Sequence, residues 1–459
     1  MQDLTQGSIN RHLVQMSLFI GAGILVQTLY LLIDLYFVAG LGEAALAGVS
    51  AAGNIMFITL ALTQVLGVGT VTLIAHAVGR KDQAAANLVF NQSFILGLVI
   101  GVAVVLVGYA VTDSYVNAIS ADAAVAAAGR TYLHWYLPGL AVQFAMVAMS
   151  SALRGTGIVK PTMTVQAATV ILNIILAPVL IAGWGTGKPL GVMGAGLASS
   201  LSIAAGVVML TVYFRRLEKF VGFDRRQWRP ESQTWKELLR IGLPAGGEFL
   251  LLFLVAGTIY WCARGFGAEA QAGIAIGLRV MQSIFLPAMA VSFAATPVAG
   301  QNFGARRADR VRETFRSAAW ISAGVMFLLT LLCQWVPTLL VHPFSSDPAV
   351  VAVAAEYLRI VSWNFVGNGL IFTCSALFQA LGNTWPSLLS SAARLLTFVV
   401  PAVWLSMQPW VRLEHFWYLS LVSIALQAVV SFGFLRREFR LRLSFLPPQN
   451  AAATATAAS

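Results

Sequence analysis

The chain has 459 residues and a formal charge of +11; 58% of the residues are apolar and only 10% are charged, against about 25% charged in ordinary soluble proteins. So little charge cannot cover a globule of this size in water, which excludes a soluble fold and points to a chain solvated by lipid. Apolar runs of about 20 residues recur without the alternation of barrel strands, so helices cross the bilayer.

The first span is expected over residues 16–38, and it carries a single carboxylate, Asp34. A charge at the centre of a bilayer helix costs about 2.5–3.5 kcal/mol even on the gentler insertion scales, so an acid there reads by default as functional. Asp34 lies toward the far end of its span, and the expected role is to take up and release a proton or a cation. On a helical projection Gln27, Tyr30 and Asp34 stack at i, i+3 and i+7, which lets the first two hydrogen-bond the acid.

Further spans are expected at 48–77, 90–112, 124–153, 161–183 and 190–214, then at 237–263, 271–299, 316–340, 349–380, 386–407 and 414–435. His76 closes the second span beside Arg80 and Lys81 and reads as a loop anchor. Gln143, Asn173, Asn364 and Asn368 are polar groups within spans; they are candidates to line a cavity, although such groups often serve as interhelical glue. Between the sixth and seventh spans the polar stretch Arg215–Lys236 reads as a linker. Glu248 follows Pro244 and two glycines, a sequence suited to a kinked helix. It is a candidate second acid, or an acid wetted or paired near its helix end. Arg279 lies inside the eighth span and requires a counter-charge, which Glu248 or Asp34 is placed to supply. Glu356 and Arg359 have the spacing of a local i,i+3 pair.

The basic residues report topology rather than nucleic acid. Of the 29 Lys and Arg, 22 fall on the side of the N-terminus, four (Arg130, Lys188, Arg264, Arg412) on the other, and three (Arg279, Arg359, Arg394) within spans. The positive-inside rule then puts both termini in the cytoplasm. Cys262, Cys333 and Cys374 are far apart in apolar spans, giving neither a disulfide framework nor metal-ligand spacing. The first span is too long for a cleavable signal core. Gly183–Lys188 imitates a Walker loop, but Ala182 and Pro189 occupy positions where that loop needs Gly and Ser or Thr. No enzyme motif remains, and no cofactor is called for beyond a proton or cation at Asp34.

The chain also repeats itself. Shifted by 225 residues, Leu41–Gly48 falls on Phe266–Gly273, Gly79-Arg-Lys on Gly304-Ala-Arg, Tyr132-Leu on Tyr357-Leu, and Gly157 on Gly382. Six spans per half is an even number, so the halves are parallel repeats, two bundles with a cleft between them. The expected architecture is an all-α integral membrane protein of twelve transmembrane helices in two six-helix bundles, related by a pseudo-two-fold along the membrane normal. Its parts are an N-terminal lobe at 1–214, a basic linker at 215–236, a C-terminal lobe at 237–440 and a tail at 441–459 ending in a disordered Ala/Thr stretch.

Ile33-Asp34-Leu-Tyr-Phe-Val-Ala-Gly-Leu-Gly42, Gly79-Arg-Lys-Asp, Ala152-Leu-Arg-Gly-Thr-Gly157, Ile171-Leu-Asn173-Ile-Ile-Leu-Ala-Pro178 and Gly191-Val-Met-Gly-Ala-Gly196 together resemble the multidrug and toxic compound extrusion (MATE) transporters. The resemblance implies export of amphipathic, often cationic compounds, driven by inward flow of protons or sodium. It matches Asp34 to the coupling acid of the first helix and Asn173 to an Asn of the fifth. It departs at Ala177 and Asn368, where some members carry acids, and at Glu248, which sits closer to the helix proline than the seventh-helix acid of certain members. An incomplete sodium-type acid cluster favours proton coupling. A flippase for lipid-linked precursors in the same superfamily, or a sodium-coupled drug antiporter, is the alternative. The expected partners are small amphipathic molecules and membrane lipids, with no nucleic acid, for a monomer in the cytoplasmic (inner) membrane.

Overall fold

The computed structural model describes residues 2–445 apart from Asn54 and Ala121; within the first helix the side chains of Leu29, Tyr30, Leu31, Leu32 and Asp34 are also outside the described set. The first bundle comprises α1 (Ile9–Ala39), α2 (Glu43–Ala52), α3 (Ile55–Gly79), α4 (Gln83–Ile119), α5 (Ala123–Gly155), α6 (Lys160–Ile181) and α7 (Val192–Arg216). The second comprises α8 (Ser232–Ala263), α9 (Ala268–Gly304), α10 (Ala308–Trp335), α11 (Pro337–Val341), α12 (Pro348–Val361), α13 (Asn364–Ala380), α14 (Trp385–Ser406) and α15 (Leu413–Arg442). Among the described residues, eleven helical stretches are long and apolar enough to cross a membrane, and the bent pair α12–α13 makes a twelfth. Large apolar side chains such as Val99, Val102 and Leu106 on α4, or Leu396 and Val400 on α14, are exposed on the outside, as a lipid-facing surface requires.

The repeat holds in the backbone. At the same offset of 225, α3 and α9 end on Gly79 and Gly304, α5 and α12 begin at 123 and 348, and α6 and α14 share both boundaries. Asp122 and Asp347 cap α5 and α12 by accepting from the backbone N–H of Ala124 (2.7 Å) and Ala349 (2.9 Å), a device worth about 1 kcal/mol at each helix start. Outside glycine, positive φ among the described residues occurs only at Lys81 (59°) and Arg306 (57°). Such values are uncommon for residues with a Cβ, and these two are repeat equivalents. Two loops that share an unfavourable conformation are copies of one loop.

Three expectations need correction. The second span, 48–77, is carried by two helices, α2 and α3. The tenth, 349–380, bends by 56° between α12 and α13. Carbonyls freed there are met from α10: Thr330 Oγ1 donates to the Ser362 carbonyl (2.9 Å) and Gln334 Nε2 to the Arg359 carbonyl (2.6 Å), which makes the break tolerable in lipid. Nor do Glu356 and Arg359 pair; the ion pairs among the described residues are Arg130–Asp113, Arg312–Asp309 and Arg442–Glu438.

The linker is held to the first bundle by side-chain hydrogen bonds. Asn91 of α4, fully buried, donates to the Gly222 carbonyl (2.9 Å) and accepts from the Asp224 N–H (3.0 Å) and the Trp228 indole N–H (3.1 Å). Gln92 donates to the carbonyls of Gln227 and Arg229 and accepts from the Glu231 N–H. Phe223 packs on Phe90, Phe94 and Phe214. An amide side chain pairs with backbone in both directions, so this ladder fixes the linker to the first bundle as far as the start of α8. The expected tail from Leu446 onward lies outside the described residues.

Candidate functional site: an interlobe cleft sealed at the basic end

The two bundles meet where the segment after residue 1, the end of α15 and the loops after α3 and α9 gather. The seal is built from repeat-equivalent pairs. His76 Nε2 donates to the Ala380 carbonyl (2.6 Å), and at the same offset Gln301 Nε2 donates to the Gly155 carbonyl (3.0 Å). His76 must therefore carry its proton on Nε2, and it is an interlobe contact rather than a loop anchor. Gly79 and Gly304 let α3 and α9 touch backbone to backbone: a Cβ on Gly79 would stand 2.9 Å from the Ala305 nitrogen, and one on Gly304 2.9 Å from the His76 carbonyl carbon. Thr72 Oγ1 reaches the Gln379 carbonyl (3.0 Å). Arg154 lies over the Phe293 ring at 5.3 Å.

The N-terminal segment straps both bundles across this seal. The Gln2 N–H donates to the Thr156 carbonyl, the Leu4 N–H to Gln301 Oε1, and Asn302 Nδ2 to the Leu4 carbonyl. Asp3 accepts from the hydroxyl and the N–H of Thr5. Partial burial alone would push its carboxyl pKa up, but the Thr5 bonds, with Lys81 and Arg307 nearby, outweigh burial and hold it below the usual value.

Away from the basic end the two flanks of the interface differ. Along α3 and α8 the helices stay in close approach through small residues: a Cβ on Gly69 would stand 2.6 Å from the Leu238 carbonyl oxygen, and one on Gly246 2.8 Å from that of Ala61. Further on, Phe57 and Phe253 close the seam, ring centroids 4.2 Å apart. The equivalent flank, α1 with α9, is in contact at Gly21 and Ala290 (3.5 Å for a Cβ on Gly21). Beyond that point Gln282, the repeat equivalent of Phe57, is exposed, as are Gln27 on α1 and Arg279 on α9. Arg279 precedes Ala290 by 11 residues, three helical turns, so it occupies the face of α9 that meets the first bundle lower down. Its side chain is exposed there.

Asn173 in α6 is fully buried, and neither end of its amide has a partner among the described residues. Gln143 in α5 is half-buried. The side chains of Asp34 and Tyr30 lie outside the described residues; their backbone belongs to α1.

Glu248 is neither wetted nor paired with Arg279. It sits buried near the middle of α8, accepting from Ser375 of α13 (2.7 Å, Oε1) and Ser387 of α14 (2.6 Å, Oε2), and the two serine hydroxyls touch each other. A carboxyl held by two hydroxyls that can rotate is able to keep or lose a proton without a change in heavy-atom geometry. Asn364 donates to Ser420 Oγ (3.1 Å) and Asn368 to the Asn364 carbonyl (3.0 Å), both buried within the second bundle. Sequence reasoning missed the two serines and the seal; the serines lie 127 and 139 residues from Glu248, and no local pattern marks them. Among the described residues no group of three or more His, Cys, Asp or Glu side chains gathers to hold a metal.

The MatE family model matches residues 20–179 and 244–405, one stretch in each bundle and most of the chain. The chain belongs to the MatE family. Probable multidrug resistance protein YoeA of Bacillus subtilis (strain 168) is 25% identical to this MatE chain over 354 residues, covering 76% of both. Multidrug export protein MepA of Staphylococcus aureus (strain MRSA252) is 25% identical over 363 residues, covering 79% of both. Among solved structures, a MOP superfamily transporter from Pyrococcus furiosus, described as having a binding pocket of reverse polarity, superposes with a TM-score of 0.89 at 24% identity, covering 97% of this chain and 98% of that one. An outward-facing multidrug resistance MATE family transporter gives 0.88 at 24% identity with the same coverage. The paired bundles are therefore the MATE fold.

Proposed function

We propose that this MatE protein is a secondary multidrug exporter, exchanging amphipathic, often cationic compounds for protons by rocking its two bundles about the interlobe seal. The observation that carries the reading is the seal itself: matched hydrogen bonds, His76 to Ala380 and Gln301 to Gly155, close one end of a cleft whose other end exposes Gln27, Arg279 and Gln282. With both termini in the cytoplasm, in keeping with the distribution of Lys and Arg, this is the state open to the outside. Asp34 is the coupling group: protonated from outside and deprotonated inside, it switches the first bundle's affinity for cargo, with Asn173, Gln143, Gln27 and Tyr30 as its polar surroundings. Arg279 stands on the second bundle's side, while buried Glu248, Asn364 and Asn368 are polar groups within that bundle.

The test is efflux of a fluorescent cation from cells, or its uptake into inverted vesicles. A protonophore and Asp34→Asn are each expected to abolish transport. Efflux that survives both treatments overturns the reading, and dependence on a sodium gradient in place of a pH gradient would transfer the coupling to sodium.

A further inference from the structure

Residues 2–7 do more than pass over the seal. Leu4 is fully buried, and its backbone is gripped by two neighbouring residues of α9. Its N–H donates to Gln301 Oε1 (2.9 Å), and its carbonyl accepts from Asn302 Nδ2 (3.2 Å). Arg307 Nη1 donates to the Thr5 carbonyl (2.8 Å) and Arg310 Nη2 to that of Gly7 (3.0 Å). The Leu4 side chain belongs to one buried cluster with Val298 and Ala299 of α9 and Val311 of α10. All of these partners lie in the second bundle.

The other side of the segment touches the first bundle. The Gln2 N–H donates to the Thr156 carbonyl (2.9 Å). Gly157, at φ +81°, makes room for the segment: a Cβ there would stand 3.0 Å from the Gln2 carbonyl oxygen and 3.3 Å from Leu4 Cδ1. Leu4 is thus wedged between the turn after α5 and the end of α9. Gln301, itself fully buried, ties the wedge to the seal, because its one amide accepts from the Leu4 N–H and donates to the Gly155 carbonyl. Withdrawing the segment leaves that amide oxygen buried without a donor, which costs more than the bond itself gains.

The repeat supplies a counterpart. Shifted by 225, residues 2–7 fall on 227–232, the end of the linker, where Gln92 holds Gln227, Arg229 and Glu231 to the first bundle. Each leading helix, α1 and α8, is therefore entered through a segment pinned to the opposite bundle. The linker's hold is backed by the chain itself, which runs on from α7; the hold of residues 2–7 on the second bundle is non-covalent and can be released. We propose that residues 2–7 are a latch: the sealed end opens when the Leu4 wedge is withdrawn, and the latch sets how often it does so. This rests on the rocking motion proposed above.

Maleimide labelling of Thr72→Cys, buried in the seal, tests the latch in the purified full-length protein. Leu4→Ala should speed labelling about 10-fold, the part of a buried leucine's packing that bridges the bundles being lost; Leu4→Met should label close to the parent rate. Arg310→Ala, which frees the Gly7 carbonyl, should speed it about 2- to 10-fold and carries the test if Leu4→Ala does not fold. Gly157→Ala should label faster than its repeat equivalent Gly382→Ala, where φ is +73° but a Cβ would come no closer than 3.4 Å to a neighbour. Leu435→Ala, in the same buried cluster but on α15, should lower the melting temperature and leave labelling unchanged. Parent-rate labelling in both Leu4→Ala and Arg310→Ala overturns the latch, as does equal acceleration by Leu435→Ala and Leu4→Ala. Acceleration by Gly79→Ala in the same experiment would leave the rocking standing, and its absence would overturn the rocking and the latch with it.

Discussion

Replacing Gly304 by alanine tests whether the seal is one of two states of the molecule. A Cβ at Gly304 would lie 2.9 Å from the carbonyl carbon and Cα of His76, and closer still to the carbonyl oxygen, where ordinary contact begins at 3.4 Å. The obstacle is backbone and cannot rotate aside, so α9 must back away from α3. Overpacking of this kind costs about 1–3 kcal/mol. Because the cost falls on the sealed form alone, the ratio of sealed to opened molecules should drop by about 5- to 150-fold. Thr72, fully buried and bonded across the seal to the Gln379 carbonyl, provides the reporter. In a Thr72→Cys background, Gly304→Ala should speed maleimide labelling by the same factor, and Gly79→Ala, its repeat equivalent, should do likewise. Gly324→Ala, whose Cβ would meet nothing within 4 Å, should change nothing. An unchanged labelling rate in folded, monodisperse Gly304→Ala protein would refute a seal made by backbone contact.

Asn91→Ala strands the Gly222 carbonyl, the Asp224 N–H and the Trp228 indole N–H, each costing about 1–3 kcal/mol if it stays buried; the linker should detach, and trypsin should cut among Arg215, Arg216, Lys219 and Arg225 faster than in the parent. Equal cleavage rates would show that the linker is held by its aromatic residues instead. Removing both hydroxyls around Glu248 (Ser375→Ala with Ser387→Ala) leaves a buried carboxyl without donors and should lower stability by about 1.5–3 kcal/mol per lost bond if the acid is ionised; adding Glu248→Gln should recover part of the loss, and its failure to do so would contradict an acid held by those bonds. The Asp3 carboxyl is held below its ordinary value of 3.8, so its contribution to the N-terminal strap is present above that value and lost as pH falls through the lower folded value. The melting difference between the parent and Asp3→Asn should therefore stay flat from about pH 5 to 8 and shrink only near pH 3; a difference that widens on acidification would reverse the assignment.

The gross fold was legible because two strong signals agree: long apolar runs separated by basic loops, and one offset that superposes Gly79 on Gly304 and Gly157 on Gly382. What stayed hidden depends on pairings between distant helices. Gly79 and Gly304 could be aligned by eye, but that each is small because it meets the other bundle's backbone follows only from the packed helices. His76 beside Arg80 and Lys81 looks like loop chemistry, and its true acceptor is more than 300 residues away. What holds the linker was hidden for the opposite reason. Seven basic residues in Arg215–Lys236 mark the linker, while the groups that hold it, Asn91 and Gln92, lie in a transmembrane helix where amides pass for interhelical glue. Glu248 was found because an acid in an apolar span stands out; its serines were not, since serine is unremarkable in a small-residue helix interface.

The repeat is kept in the backbone and abandoned in the chemistry. Helix ends, caps, positive-φ loops and the seal hydrogen bonds recur at one offset, whereas Asp34 faces Ile259 across it, Asn173 faces Phe398, Glu248 faces Gly23 and Arg394 faces Thr169. A symmetric frame gives both bundles the same helix ends and loops, which the proposed rocking between two equivalent closures would use. The polar groups follow a different requirement. If both bundles carried the same acid, the gradient proposed to drive export would load both halves alike, and the proposed coupling could not be confined to one of them. Confining Asn173 to the first bundle, and the Glu248 serine cradle to the second, gives each bundle its own polar surroundings, as the proposed exchange requires. The open flank between α1 and α9, against the closed one between α3 and α8, carries the same asymmetry into the cleft: Gln282 stands where the opposite flank places Phe57, and the side left open is the one lined by Gln27 and Arg279.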